Sequence, residues 1–336
     1  MTTPLALFAA AAVMGAFAGF PLSRARWAGH APRLAVALWH ALCFGVVSSV
    51  VLGGLALALP VLPHVMIGDL GDFLARCAMA LHAEFAAPRS ALLGAAGLML
   101  GVATGARLLC SMMVGAKDAE HARRLQLERL ALVGHRLPGD HEESLVLLDD
   151  GRPAAYCLPG GRWGRATIVV TSGALDLLDD DQVRLVLAHE RAHLRQRHHL
   201  AIGLSAALTS SFGWVPLFRL ASSQVPLLLE MAADDDAVRL MTSDHVVHMT
   251  ARRRLAHAVV TLASAQTRAP AGAFSAAGGS AVARVQRLSQ PPVRLGLTRT
   301  TVLAAGMAVT FAGPLLVASA PALCAAAMEI CPFTFA

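Results

Sequence analysis

The stretch VLAHERAHLRQRHHL, residues 186–200, contains four histidines, three arginines and one glutamate. The whole chain is 56% hydrophobic and only 15% charged, so this concentration of imidazoles needs a chemical reason. His189, Glu190 and His193 form the motif HExxH. Positions i and i+4 share one face of a helix, so both imidazoles can bind one Zn²⁺ per chain. Glu190 lies beside them, where it can act as the general base that takes a proton from the attacking water.

A third zinc ligand is expected in LLLEMAADDDAV, residues 227–238, which contains the pattern ExxAD. Glu230 ends an apolar run, an expensive place for an unpaired carboxylate, and is the expected ligand. Asp234, one turn later, is expected to accept the other ring N–H of a zinc-binding histidine. His198 and His199 are not needed as ligands and are expected on the next turns or at the end of the helix, and whether either contacts substrate stays open. His245, His248 and His257 are interpreted as surface histidines, and Asp235 and Asp236 as an acidic N-cap or a solvated face.

Four apolar stretches are long enough to cross a bilayer, which takes about 20 residues. They are residues 4–22, 34–61, 91–115 and 301–323. Arg24, Arg26 and Arg33 follow the first stretch with no acid among them, and 22 of the 28 basic residues lie in the long segment 116–300. Because positive charge favours the cytoplasmic side, we expect a multi-pass protein of the cell membrane, with this segment in the cytoplasm and both termini outside.

The fold class that follows is an α-helical membrane protein with an α+β zinc peptidase domain inserted between transmembrane helices three and four. The predicted divisions are a three-helix membrane domain (1–115), the peptidase domain (116–300), the fourth helix (301–323) and a short extracytoplasmic tail (324–336). Within the peptidase domain we expect a charged helix over 116–135, strands over 143–150, 154–158 and 166–171, and a loop over 266–293. Cys324 and Cys331 either pair or remain free thiols.

The apolar stretch 200–218 is unlike the other four. Only 36 residues separate His193 from Glu230, and two full crossings need about 40. If both side chains bind the same ion, the stretch cannot be a simple span. We therefore predict a helical hairpin, buried or dipping into the membrane and broken near Gly213 and Pro216.

HExxH, the segment FGWVPLF and ExxAD together resemble the gluzincin membrane peptidases. Three apolar stretches before the motifs and one after are similar to the BlaR/MecR branch, whereas the HtpX-type branch has two before. The resemblance implies a zinc endopeptidase with His189, His193 and Glu230 as ligands and Glu190 as general base. It also implies a β-strand edge to which substrate adds as a further strand, for which residues 166–171 are the candidate.

Three functions stay open from the sequence. The first is regulatory cleavage of a winged-helix BlaI-like repressor, or of the chain itself. The tail 324–336 is too short for the penicillin-binding sensor domain of that branch, so a signal is expected through the spans, the outer loop 62–90 or a sensor partner. The second is HtpX-like quality control of membrane proteins. The third is a catalytically silent sensor or scaffold.

The expected partners are a protein substrate and the lipid bilayer, with a homo-oligomer left open. Direct nucleic-acid binding is not expected. The charge of +6 comes almost wholly from arginine, which we interpret as a solvated, cytoplasm-facing surface.

Overall fold

The computed structural model describes residues 2–58, 91–137, 143–161, 165–241, 245–266, 275–293 and 295–330. Among these described residues, four α-helices precede the sheet, with a π-helical turn (Met14–Ala18) between the first two: α1 (Thr2–Val13), α2 (Gly19–Ser23), α3 (Pro32–Ala58) and α4 (Ala91–Val133). The strands are β1 (Gly134–Leu137), β2 (Glu143–Leu148), β3 (Ala155–Leu158) and β4 (Ala166–Thr171). The remaining helices are α5 (Ser172–Leu177), α6 (Asp180–Arg195), α7 (His198–Phe212), α8 (Pro216–Met241), α9 (His245–Gln266), α10 (Ser275–Leu288) and α11 (Leu297–Ile330).

Four helical segments among the described residues are long and apolar enough to cross a membrane: Thr2–Ser23, Pro32–Ala58, Leu92–Val133 and Leu297–Ala320. They overlap the four predicted stretches, although the third continues to Val133, well beyond the predicted end at residue 115. Two of them approach closely because glycines face each other: a Cβ on Gly54 of α3 would lie 2.4 Å from the carbonyl oxygen of Gly97 on α4. Such small-residue contacts are typical of helices packed within membranes. The predicted outer loop 62–90 and the Cys324–Cys331 question lie outside the described residues and side chains.

The predicted break in the stretch 200–218 is confirmed, because α7 ends at Phe212 and α8 begins at Pro216. The hairpin packs against the N-terminal helices, with Leu217 and Phe218 in the same buried core as Trp39. It also packs against α4, where the Arg107 side chain donates a hydrogen bond of 2.7 Å from Nε to the Ser211 carbonyl oxygen. A charge inside an apolar helix thus has a backbone acceptor on the hairpin.

The sheet has the strand order β1-β2-β4-β3, in which β2 and β4 are parallel and the other neighbours are antiparallel. The prediction that residues 166–171 form the substrate-binding edge is wrong, because β4 pairs on both sides. Its β-branched side chains are buried, with Ile168 and Val169 fully inaccessible. The free edges belong to β1 and β3, and β3 is the one that contacts helix α6. Strand β1 was not predicted, and its first two residues were included in the end of the charged helix, predicted over 116–135.

The predicted loop over 266–293 is also wrong for its described part, which contains α10. Leu288 is fully buried in a core shared with Leu185 and Leu255, and Val285 packs against that core. This tertiary packing holds a helix whose glycines alone disfavour it. This helix matters for the candidate active site because it carries Arg284.

Candidate active site

Helix α6 places the two histidines of HExxH. It starts at a capping box, in which the Gln182 backbone N–H donates to Asp179 Oδ1 (2.8 Å) and the Asp179 N–H donates to Gln182 Oε1 (3.0 Å). Sixteen residues of helix follow. His189 is buried and His193, one turn later, is half-buried. Both rings face helix α8, the second half of the hairpin, because they contact Glu230.

The predicted ligand atoms converge. His189 Nε2 lies 3.3 Å from Glu230 Oε2, and His193 Nε2 lies 3.3 Å from Glu230 Oε1. The two Nε2 atoms are 3.1 Å apart. Ligands placed tetrahedrally at about 2.0–2.1 Å from Zn²⁺ are separated by about 3.3 Å. Two imidazoles and one carboxylate at these separations therefore fit one zinc ion, and the group could hold a metal.

Asp234 has the position expected of a partner to His189, with its Oδ1 3.0 Å from His189 Nδ1. It is fully buried. Burial alone would raise the pKa of this carboxyl, but hydrogen bonds from His189 and Arg284 outweigh it and hold the pKa at about 2. The carboxylate is therefore ionised at neutral pH, and it contacts the Nδ1 side of the His189 ring while Nε2 faces Glu230.

Arg284 was missed by the sequence analysis, which placed it in a loop. Its guanidinium binds Asp234 through two hydrogen bonds, Nε to Oδ2 at 2.9 Å and Nη2 to Oδ1 at 2.6 Å. A third contact joins Nη1 to Glu230 Oε2 at 2.9 Å. One arginine thus fixes two carboxylates. Burial would raise the pKa of Glu230, but hydrogen bonds from the two histidines and the charge of Arg284 lower it far below its usual range.

His198 is a second residue whose place was not predicted. Its Nδ1 lies 2.9 Å from Nδ1 of His193, and its side chain is buried. Arg197, just before it, has the left-handed backbone conformation (φ 52°) that turns the chain between α6 and α7. Burial, followed by the neighbouring His193, lowers the pKa of His198 to about 4. A neutral imidazole therefore orients His193 as Asp234 orients His189.

Replacing His198 with alanine is expected to weaken zinc binding about 10–100-fold, the usual cost of losing a partner that orients a metal ligand. Titration of the purified protein against a competing chelator would measure this affinity. The matched control is His199→Ala, because His199 is exposed and has no contact with His193 among the described hydrogen bonds. Equal zinc affinities in the two variants would contradict a positioning role for His198.

A cleft of about 530 Å³ opens onto the histidines and Glu230. Glu190 is half-buried in its wall. Strand β3 forms another wall through Ala155, Tyr156 and Cys157, while α9 and α10 close the opposite side. Burial, then the Glu190 carboxylate, raises the pKa of the Cys157 thiol above its usual value, so this thiol is neutral. The cleft therefore brings together a metal-binding group, a carboxylate and a free strand edge.

The other side chains noted in the sequence differ in their exposure. His257 is exposed as expected, and its Nδ1 lies 2.9 Å from Gln182 Nε2. His248 is half-buried rather than on the surface, and the side chain of His245 lies outside the described ones. The expectation of a solvated Asp236 is wrong: it is 5% exposed and forms ion pairs with two arginines. Asp235 is partly buried and is also paired with arginine.

The sequence profile described as Peptidase family M48 matches residues 118–291, slightly more than half of the chain. Three similar curated proteins carry the name Protease HtpX homolog. Those of Aquifex aeolicus (strain VF5), Acidiphilium cryptum (strain JF-5) and Halobacterium salinarum (strain ATCC 700922 / JCM 11081 / NRC-1) are 27%, 33% and 29% identical over 103, 107 and 102 residues. The matches cover 31%, 31% and 30% of this chain and 34%, 36% and 35% of those proteins, so the chain spans about a third of their length. No solved structure matches the chain.

Proposed function

Because the chain belongs to peptidase family M48, a family of zinc metallopeptidases, we propose that it is a membrane-bound zinc endopeptidase. The observation that carries the proposal is the cluster of His189, His193 and Glu230, with Glu190 beside it in an open cleft. The assignment of these three residues as zinc ligands, one ion per chain, is part of the proposal. The donor set of two imidazoles and one carboxylate is one that catalytic zinc sites use.

When bound, Zn²⁺ supplies a Lewis acid that activates the attacking water and polarises the scissile carbonyl. The side chains of the protein transfer the proton and hold the ligands in place. Glu190 takes the proton of the water and delivers it to the leaving amine. Asp234 and His198 hold the two imidazoles in orientation, and Arg284 keeps Glu230 and Asp234 ionised and in place.

Strand β3 offers the edge to which an extended substrate would add. The Thr171 N–H donates to the Ala154 carbonyl oxygen at 3.0 Å. Since hydrogen-bonding direction alternates along an antiparallel strand, the backbone groups of Ala155 and Cys157 point away from β4, towards the free edge. Both residues line the cleft. A peptide paired there would pass Glu190 and the metal-binding group in extended form.

Replacing Ala155 with proline removes one outward N–H and is expected to lower kcat/KM for an unfolded protein such as casein about tenfold, the usual worth of one hydrogen bond. The control is Ala155→Ser, which changes the side chain and keeps the N–H. Zinc content should be the same in both variants. Equal cleavage rates for both would rule out this edge as the substrate site.

The orientation of the chain is likewise proposed, with the peptidase domain (116–300) in the cytoplasm and both termini outside. The position of the helical hairpin formed by α7 and α8 supports an active site close to the cytoplasmic surface of the membrane. Its tip residue Val215 packs on Gly15, where an added Cβ would lie 3.0 Å from Val215 Cγ1. Gly15 lies eight residues before Ser23, the end of the first candidate span, which is about 12 Å of helix. Trp214, at the same tip, is 79% exposed, which leaves its ring free to contact lipid.

The proposed substrates are membrane proteins, as in HtpX-like quality control; the names of the curated relatives support this choice. Regulatory cleavage of a BlaI-like repressor is the second candidate. The observation that favours it is the order of the candidate spans among the described residues, three before the HExxH helix and one after it. The two functions differ in how many proteins are cleaved. Mapping new protein N-termini in native cells would measure this number.

A further inference from the structure

A second cavity in the described part of the chain, of about 1220 Å³, shares no lining residue with the peptidase cleft. It lies where three candidate spans end. Its lining includes residues between the first span, ending at Ser23, and the second, beginning at Pro32, and residues just before the fourth, beginning at Leu297. If these helices cross the bilayer, the cavity lies at the level of the lipid headgroups.

The charges in this cavity do not balance. Its lining contains two aspartates and five arginines, Arg26, Arg33, Arg239, Arg252 and Arg287. Asp236 pairs with Arg33 and Arg239, while Asp235 pairs with Arg252 and Arg287. Each carboxylate is thus shared by two guanidinium groups, and the positive charges exceed the negative by three. We call the part of the cavity that is lined by these five arginines and two aspartates the arginine chamber.

Among these arginines, Arg252 has an N–H group that lacks a hydrogen-bond acceptor. Its side chain is 2% exposed, and its Nε–H has no hydrogen-bond partner. Its Nη2 donates to the Arg287 carbonyl oxygen at 2.8 Å, but the contact between its Nη1 and Asp235 is long, at 3.4 Å. A buried guanidinium without its full set of acceptors is costly. A phosphate group, with several strong acceptor oxygens, is the kind of ligand that would remove this cost.

An apolar groove continues from the arginine chamber. A smaller cavity of about 400 Å³ shares Arg26, His30 and Leu295 with the chamber. It also shares Trp27 and Arg299 with a third cavity of about 270 Å³, whose walls include Val302 and Leu303 on the first turns of α11. The path therefore runs from clustered arginines to apolar side chains on the surface of a candidate span.

We propose that this path is a binding site for an anionic phospholipid, with the phosphate in the arginine chamber and an acyl chain along α11. Inorganic phosphate shares the headgroup chemistry but would leave the groove empty. The groove is therefore the feature that favours a lipid. The chamber adjoins the peptidase site in sequence and space, because Asp235 follows Asp234 on α8 and Arg287 follows Arg284 by one turn on α10.

The test is lipid binding by the purified, zinc-loaded full chain in detergent, followed by native mass spectrometry. The probes are phosphatidylglycerol, phosphatidylcholine and inorganic phosphate. The variant Arg26→Gln/Arg33→Gln removes two exposed arginines of the chamber. Arg24→Gln/Arg129→Gln makes the same change in charge at two exposed arginines outside the cavity. None of the four belongs to the peptidase site, so this readout is independent of peptidase activity.

Wild type and the control variant are expected to retain phosphatidylglycerol in preference to phosphatidylcholine. The chamber variant should bind phosphatidylglycerol at least about tenfold more weakly, since each arginine near a lipid surface contributes about fivefold. Equal retention by the two variants, or equal binding of both lipids, would overturn the proposal. Saturable binding of inorganic phosphate without retained lipid would also overturn it, and would assign the chamber to a soluble anion.

Discussion

Replacing Glu190 with glutamine is expected to lower the rate of peptide hydrolysis about 10²–10⁴-fold, the usual contribution of a general base. Glutamine has nearly the same shape but cannot accept the proton of the attacking water. The three proposed ligands are untouched, so zinc content should not change. The measurement is cleavage of casein by purified protein, with zinc determined on the same samples.

The control for this experiment is Glu128→Gln, which neutralises an exposed glutamate on α4 far along the chain from the cleft. It should retain wild-type cleavage. If Glu190→Gln cleaves casein at the wild-type rate with zinc bound, Glu190 is not the base. If it loses zinc together with activity, Glu190 acts on the metal site and the assigned role is wrong.

Replacing Glu230 with alanine is expected to remove both zinc and activity. The carboxylate contacts both imidazoles at 3.3 Å and is the sole acidic member of the metal-binding group found among the described residues. Its loss should weaken zinc binding by more than the about 10–100-fold that follows loss of an orienting partner. Arg284 would also lose one of its contacts. Zinc affinity from chelator competition and casein cleavage are the two readouts.

Glu128→Ala is the matched control for Glu230→Ala, because Glu128 is an exposed glutamate on α4 and lies outside the metal-binding group. It should keep zinc and activity. Restoration of zinc binding in Glu230→Asp, with a shorter carboxylate, would strengthen the assignment. A Glu230→Ala protein that retains wild-type zinc affinity would exclude Glu230 as a ligand.

The parts of the site whose residues lie close together in the chain could be predicted from the sequence. His189 and His193 share a helix, so their spacing alone sets their geometry. The break at residues 213–216 followed from chain length, because too few residues separate His193 from Glu230 for two crossings. The four apolar helices followed from composition alone.

What the sequence could not provide depends on contacts between distant segments. Arg284 is fifty residues from Asp234 in the chain, and its helix is held by the packing of Leu288 against Leu185 and Leu255 rather than by the helix propensity of its residues. The central place of β4 reflects pairing with both β2 and β3, which no single strand encodes. His198 contacts His193 because the chain turns at Arg197 in a conformation that non-glycine residues seldom adopt.

The most direct test of the central claim, that this chain is a peptidase, is to map new protein N-termini in native cells carrying either wild type or Glu190→Gln. The account predicts cleavage sites that are present with wild type and absent with the variant. Sites in many membrane proteins would support quality control, whereas one site in a DNA-binding repressor, or in this chain itself, would support regulatory cleavage. Identical sets of N-termini in the two strains, under membrane stress as well as in ordinary growth, would contradict the claim and favour a silent sensor or scaffold.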